Sequence, residues 1–311
     1  MTIKKMIRDR QSYVAVLAFI LAGTLGAFSA DRVQGAAYSS HNQTIIASDQ
    51  GHEHHHGTIE KSKQPGSDQA EHHHGHHSDE AEDRQLYAEW SFQPGEAVAG
   101  QAIGIDLQIA DAEGEPLQKF EDNHERKLHL IIVSEDLGYF DHVHPEYAGN
   151  GLFRQYIVLP AGGKYKLFAD FQPAGYAHTT VSTTLHVSGE YTLERLIADQ
   201  ERIKSTDKAV VELAITELAA GQETELVFDF RHPKTGVPLT DLQPYLGAIG
   251  HVVIISEDLE QYLHVHPVNE RGSGPEARFV TSFPDEGLYR IWGQFQREGE
   301  TFIVPFTVKV Q

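Results

Sequence analysis

The 311-residue chain contains no cysteine. Disulfide frameworks, thiolate metal sites, iron–sulfur clusters and cysteine nucleophiles are therefore excluded. Methionine is almost as scarce: Met1 and Met6 are the only two, both upstream of any segment with core periodicity, so a thioether site for Cu(I) is excluded as well. Cationic side chains are few. Lys and Arg number 25 against 45 Asp and Glu, a formal charge of −20 with His neutral. That balance argues against nucleic acid or anionic membrane surfaces as partners and gives the surface an attraction for cations.

Histidine, in contrast, is abundant. There are 20, and protonating some of them below about pH 6.5 would erase much of the negative charge. Their placement follows a pattern along the chain.

Residues 1–30 read as a secretory signal or an uncleaved anchor. Lys4, Lys5, Arg8 and Arg10 precede an uncharged apolar run from Tyr13 to Ala30, and Ala27 and Ser29 offer small residues at a cleavage step. Residues 31–84 are polar, without core periodicity, and such a segment is expected to be disordered. Nine of its ten His fall in two acid-interleaved clusters, His52, His54, His55 and His56, then His72, His73, His74, His76 and His77. Flexible imidazoles among carboxylates capture Zn²⁺ or Cu²⁺ with low specificity, through changing ligand sets.

Two copies of one pattern follow, each of about 100 residues and long enough for its own core. Residues 85–189 hold short alternating runs such as Ala102–Ile109 and Tyr165–Phe171, separated by Gly/Pro turns, and residues 209–311 repeat them. The fold class predicted is all-β, two tandem antiparallel immunoglobulin-like β-sandwiches. Residues 190–208 form the connector, and Leu193 to Arg202 within it is the one helix-like stretch.

The repeated element with chemical potential is a triple-His stretch. His129 precedes His142 by thirteen residues and His144 follows two later; His251, His264 and His266 recur with the same spacing, 122 positions on. Residues two apart in a strand share a face. A hairpin centred between Asp136 and Leu137 would set His129 opposite His144, and the same arithmetic sets His251 opposite His266. Three converging imidazoles suit Zn²⁺ or Cu²⁺, the fourth position being filled by water, a carboxylate or another chain. Asp170 is the candidate oxygen ligand of the first copy. Its counterpart Gln294 is a poorer one, so the first site is expected to bind more tightly. Ser134-Glu-Asp136 and Ser256-Glu-Asp258 read as turn chemistry. His124, His178, His186 and His232 have no counterpart in the other copy and read as surface residues. The bland alternative is that the triple-His residues are hydrogen-bonding core groups retained through duplication.

The run Asp241–His251, followed by Ser-Glu-Asp-Leu and His-Val-His-Pro, resembles a family of secreted bacterial β-sandwich domains, the YtkA-like and copper-resistance immunoglobulin-like modules, which carry heavy-metal-binding labels. The first copy matches through His129, His142, His144, Pro145 and Phe168-Ala-Asp-Phe171, but has Phe120–Leu128 in place of the Leu-Gly-Ala-Ile-Gly approach. The resemblance implies an exported metal-binding role.

The expectation is an extracytoplasmic protein, secreted or membrane-anchored facing outside, that captures, buffers or hands on Zn²⁺ or Cu²⁺. Its partners would be the metal ions and a membrane metal transporter or another exported metal protein. The alternative is an adhesion or partner-docking protein with structural or pH-sensing His. An enzyme is not expected: no duplicated Glu stands beside the His as a general base, and two equivalent sites are unusual for one.

Overall fold

The strands of the first half are β1 (Gln43–Ala47), β2 (Leu86–Gln93), β3 (Ala97–Val98), β4 (Ala102–Ala110), β5 (Phe120–Glu121), β6 (Leu128–Ser134), β7 (Phe140–Val143), β8 (Glu146–Gly149), β9 (Leu152–Val158), β10 (Gly163–Pro173) and β11 (Thr179–Ser188). They make one sheet in the order β1-β2-β4-β9-β8 and a second in the order β3-β11-β10-β6-β7, with β5 added to β10. The second half contributes β12 (Ile203–Ser205), β13 (Val210–Ile215), β14 (Glu223–Arg231), β15 (His251–Ser256), β16 (Tyr262–Val265), β17 (Glu276–Ser282), β18 (Gly287–Arg297) and β19 (Glu300–Val310). These form the sheets β12-β13-β14-β17 and β16-β15-β18-β19. This computed structural model describes residues 43–47 and 85–311 except His266, with the backbone alone for 43–47 and His264. The expectations for residues 1–30 and for the nine His of the arm lie outside the described residues.

Among the described residues there is no helix, and none is long and apolar enough to cross a membrane. The chain is two tandem antiparallel sandwiches, as the alternating runs predicted. In β4, Ile103, Ile105, Leu107 and Ile109 are buried while the residues between them are not. They meet Leu128, Leu130 and Ile132 of β6 and Tyr165, Leu167 and Phe171 of β10 across the first core. Phe228, Phe279, Phe295 and Phe306 fill the second. Each such side chain contributes about 1.5–3 kcal/mol on burial.

Strands β6 and β15 depart from alternation: every residue from Leu128 to Val133 and from His251 to Ser256 is buried. A strand reads as a continuous apolar run when both its faces are covered. One face of each looks into its own sandwich. The other looks at the neighbouring sandwich, where Ile131, Val133, Leu137 and Phe168 meet Val253, Ile255 and Trp292 in a third apolar cluster. Phe140 stacks on Trp292 with centroids 4.7 Å apart, and Tyr262 stacks on Phe168 at 4.9 Å. Phe140 and Tyr262 are repeat counterparts, as are Phe168 and Trp292. The two halves therefore meet as the subunits of an isologous dimer do, each presenting the same patch.

Two sequence expectations are corrected here. Residues 31–84 were expected to lack ordered elements, yet Gln43–Ala47 pairs antiparallel with β2 as an edge strand, using the β-branched run Thr44-Ile45-Ile46. The connector is not helical. Its Leu196 enters the cluster between the sandwiches, the Glu194 N–H donates to Asp136 Oδ2 (3.2 Å), and the Asp199 N–H donates to the Thr307 carbonyl (2.9 Å). Short helices are marginal in water, so an extended strap whose N–H groups find partners on both sandwiches prevails.

Candidate metal centre

The register of the first hairpin decides where the imidazoles fall. Leu130 pairs with Val143 and Ile131 with His142, so the ladder extrapolates to His129 opposite His144, the pairing its spacing predicted. In the second copy Val252 pairs with Val265 and Val253 with His264. The turns are built as read: Ser134 Oγ donates to Asp136, whose Oδ1 accepts the Gly138 N–H, and the Tyr139 N–H donates to Ser134 Oγ. Leu137 takes φ +57° there, tolerated because its side chain is buried between the sandwiches.

His129, His142 and His144 converge. One ring nitrogen from each lies within 4.8 Å of the others, and among the described residues this is the one group of three potential ligands so gathered. Ring centroids stand 5.1, 5.1 and 4.7 Å apart. His129 Nε2–H donates to the Asn123 carbonyl at 2.8 Å; a carbonyl only accepts, so Nδ1 is the nitrogen that faces His142. His142 Nδ1–H donates to Gln294 Oε1 at 2.6 Å, leaving Nε2. Those two inward nitrogens are 2.9 Å apart, a separation that either a shared proton or a metal ion spans. His144 Nε2 is buried without a hydrogen-bond partner. Burial, helped by the Arg126 charge, lowers its pKa to about 4, so it stands neutral near pH 7, the form that ligates.

A tetrahedral ion with Zn–N bonds of about 2.1 Å needs its nitrogens about 3.4 Å apart. The 2.9 Å pair must open slightly and the widest separation, up to 4.8 Å, must close. Outer ring nitrogens held by oxygen acceptors are the usual arrangement around metal-binding imidazoles, because they fix both tautomer and ring plane.

Other candidates lie differently. Asp170, expected as the oxygen ligand of the first site, pairs with His129 across β10 and β6, but its carboxylate is not in the gathered group. It is fully buried, its Oδ1 lies 2.7 Å from His178 Nε2, and its Oδ2 accepts from the Tyr262 hydroxyl at 3.3 Å. Burial, then the Asp170 charge, raises the Tyr262 pKa well above the ordinary phenol value, so this donor keeps its proton. Gln294, expected to serve the second copy, instead orients His142 of the first, 152 residues away. The cause is the same in both cases: these residues project from the outer sheet face and reach the other sandwich.

His251 is buried, with Nε2 donating to the Tyr245 carbonyl at 3.1 Å, the counterpart of the His129–Asn123 bond. Its ring lies 6.3 Å from those of His129 and His142. The His264 side chain and His266 are outside the described residues. The surface reading of the unmatched His holds for His186, which is exposed, and His232 accepts the N–H groups of Lys234 and Thr235 in a turn. His178 keeps 43% of its side chain exposed but also contacts Asp170, and His124 is half-buried with its ring 4.6 Å from that of His251. Neither residue has a repeat counterpart, and that lack concealed them.

A family model described as a domain of unknown function (DUF8832) matches residues 81–189 and again 204–311. Its description assigns no ligand, and the resemblance to YtkA-like modules is not what the match returns. No curated protein matches. Among solved structures, the Escherichia coli adhesin FdeC is 15% identical with TM-score 0.24, covering 72% of this chain and 64% of its own. Invasin, a bacterial integrin-binding protein, is 14% identical with TM-score 0.23, covering 71% and 39%. The D00–D0 domain of intimin is 12% identical with TM-score 0.20, covering 70% and 96%. The chain thus spans less than two thirds of the adhesin and of invasin.

Proposed function

We propose a function for a chain that belongs, over both of its sandwiches, to the DUF8832 family: it is an exported protein that binds Zn²⁺ or Cu²⁺ and buffers the ion or hands it on. The observation that carries this reading is the convergence of His129, His142 and His144, with the outer nitrogens of the first two bonded to oxygen acceptors and His144 Nε2 buried without a partner. Three neutral nitrogens and an open fourth position hold a borderline divalent ion while leaving it exchangeable. The His-rich run from His52 to His77 would supply low-specificity capture ahead of that site, and the acidic surface would draw the ion in. Export rests on the apolar run Tyr13–Ala30 behind its four basic residues. A membrane metal transporter or another exported metal protein is the matching recipient.

The test uses the full-length chain with the nine arm His replaced by Gln, so that only the sandwiches bind. Equilibrium dialysis with Zn²⁺ should find bound metal, and His142→Ala with His144→Ala should remove one ion per chain. Unchanged stoichiometry in the double variant would refute the reading.

A second reading makes the sandwiches extracellular partner-docking modules, the class to which the adhesin and invasin above belong. The observation that favours it is internal to this chain. The His129–His142 contact and the His142–Gln294 bond satisfy those imidazoles without metal and pin one sandwich to the other. It predicts stability that changes with pH near 6 and does not respond to added Zn²⁺.

A further inference from the structure

Strand β7 is the outermost strand of its sheet, four residues long, and among the described residues its one ladder neighbour is β6. So short a strand with a single neighbour belongs to the weakly held end of a fold. Yet it carries His142 and runs directly into His144, two of the three gathered imidazoles. His129 stands on firmer ground, because β6 is paired on both sides, with β10 and with β7. The second support of β7 comes from the other sandwich. Phe140 and His142 are two apart and share a face, and they meet Trp292 and Gln294, likewise two apart on β18. The Phe140 and Trp292 rings stack at an interplanar angle of 19°, and the His142 Nδ1–H donates to Gln294 Oε1.

We propose that the second sandwich positions the metal site of the first: Trp292 holds β7 in place and Gln294 fixes the ring plane of His142, so that docking of the sandwiches sets the Zn²⁺ affinity of the triad. Trp292 touches no ligand and acts through Phe140 and the strand that bears His142. The inference rests on the metal-binding reading above and adds to it a means of release, since loosening the interface frees β7 and weakens the hold on the ion. Linkage makes the coupling reciprocal: if docking raises Zn²⁺ affinity, bound Zn²⁺ strengthens docking by the same factor. The mirror contact is of different chemistry. Tyr262 stacks on Phe168 and its hydroxyl donates to Asp170 Oδ2, and none of these three is in the gathered group. It keeps part of the interface in place when Trp292 is changed.

The experiment is Zn²⁺ competition against a chromophoric chelator, on the full-length chain with the nine arm His replaced by Gln. It follows the ion that His142→Ala with His144→Ala removes. Trp292→Ala should weaken that ion at least about ten-fold, the lower end of what an outer-shell contact contributes. Trp292→Phe, which keeps an aromatic face for Phe140, should recover most of the loss. Phe279→Leu is the control for a merely structural role. Its ring is buried in the second core on β17, in the sheet opposite the one that meets the first sandwich, so it should lower the melting temperature and leave the affinity unchanged. Should Trp292→Ala fail to fold, Phe140→Leu deletes the same stack from the β7 side and should weaken binding likewise. Parent affinity in the folded stack variants, or equal weakening by Phe279→Leu, overturns the inference while leaving the functional reading standing; no bound ion in the parent removes both.

Discussion

The bond from His142 to Gln294 joins the two sandwiches beside the candidate metal centre, and its removal gives a prediction with a sign. Both residues are buried, His142 at 8% and Gln294 at 2% exposure, and the contact is 2.6 Å. Gln294→Leu preserves approximate volume and deletes the acceptor. A buried donor stripped of its partner costs about 1–3 kcal/mol, so the metal-free chain should lose that much in urea unfolding. Loss of an orienting acceptor lowers metal affinity about 10- to 100-fold, equivalent to about 1.4–2.7 kcal/mol of binding. Gln294→Glu should act in the opposite sense on affinity. A carboxylate accepts the His142 proton more strongly and makes the imidazole a better ligand, so Zn²⁺ should bind more tightly even though the metal-free chain, now holding a buried charge, is less stable. Chelator competition reads the affinities and urea melts read the stabilities, both in the full-length background without arm His. Equal affinities for parent, Leu and Glu variants, all folded, would refute the claim that Gln294 orients His142 for metal.

Other predictions follow from the same interface. Trp292→Ala removes a ring only 2% exposed and its stack on Phe140; unfolding free energy should fall by about 3–5 kcal/mol for the cavity, with about 0.5–1.5 more for the ring pair. A loss below 1 kcal/mol would mean that the sandwiches do not dock through it. At Asp136, burial raises the pKa, but hydrogen bonds from Ser134, Gly138 and Glu194 outweigh it and hold the group below 3.8. Its contribution is therefore present above the ordinary carboxylate pKa and lost as pH falls through the lowered one. Asp136→Asn, at a partly exposed turn, should cost about 1 kcal/mol at pH 7, and that difference should shrink in strong acid; a cost that persists there would contradict the assignment. Gly250→Ala places a Cβ 2.4 Å from the Phe295 ring and 2.7 Å from the Gln294 carbonyl. It should destabilise by about 1–3 kcal/mol, so a thermal melt that matches the parent's would be contrary to expectation.

Much of this was legible without coordinates. The alternation in Ala102–Ala110 and its repeats determined all-β sandwiches, because a strand with one wet face must alternate. Spacing alone set the hairpin register, because a tight turn leaves one antiparallel pairing that keeps three imidazoles on one face. The duplicated Ser-Glu-Asp-Leu turns announced their own hydrogen bonds. The connector was misread because its Leu and Ile look helical in isolation, whereas Leu196 and the N–H partners of Glu194 and Asp199 are supplied by the sandwiches.

What the tertiary structure alone decided is whose residue serves whose site. The unbroken apolar run in His129–Val133 and its repeat carried a signal, since a strand buried on both faces needs a second neighbour. It could not say that the neighbour was the other copy. Once the two outer faces meet, Gln294 passes from the second triad to the first, Asp170 leaves the first triad for Tyr262 and His178, and His124 moves from the surface to His251. Local sequence determines which face a side chain takes, through the two-residue period of a strand. The chemistry available on that face depends on what is docked against it, and that was settled by the non-local packing of Phe140 on Trp292 and Tyr262 on Phe168.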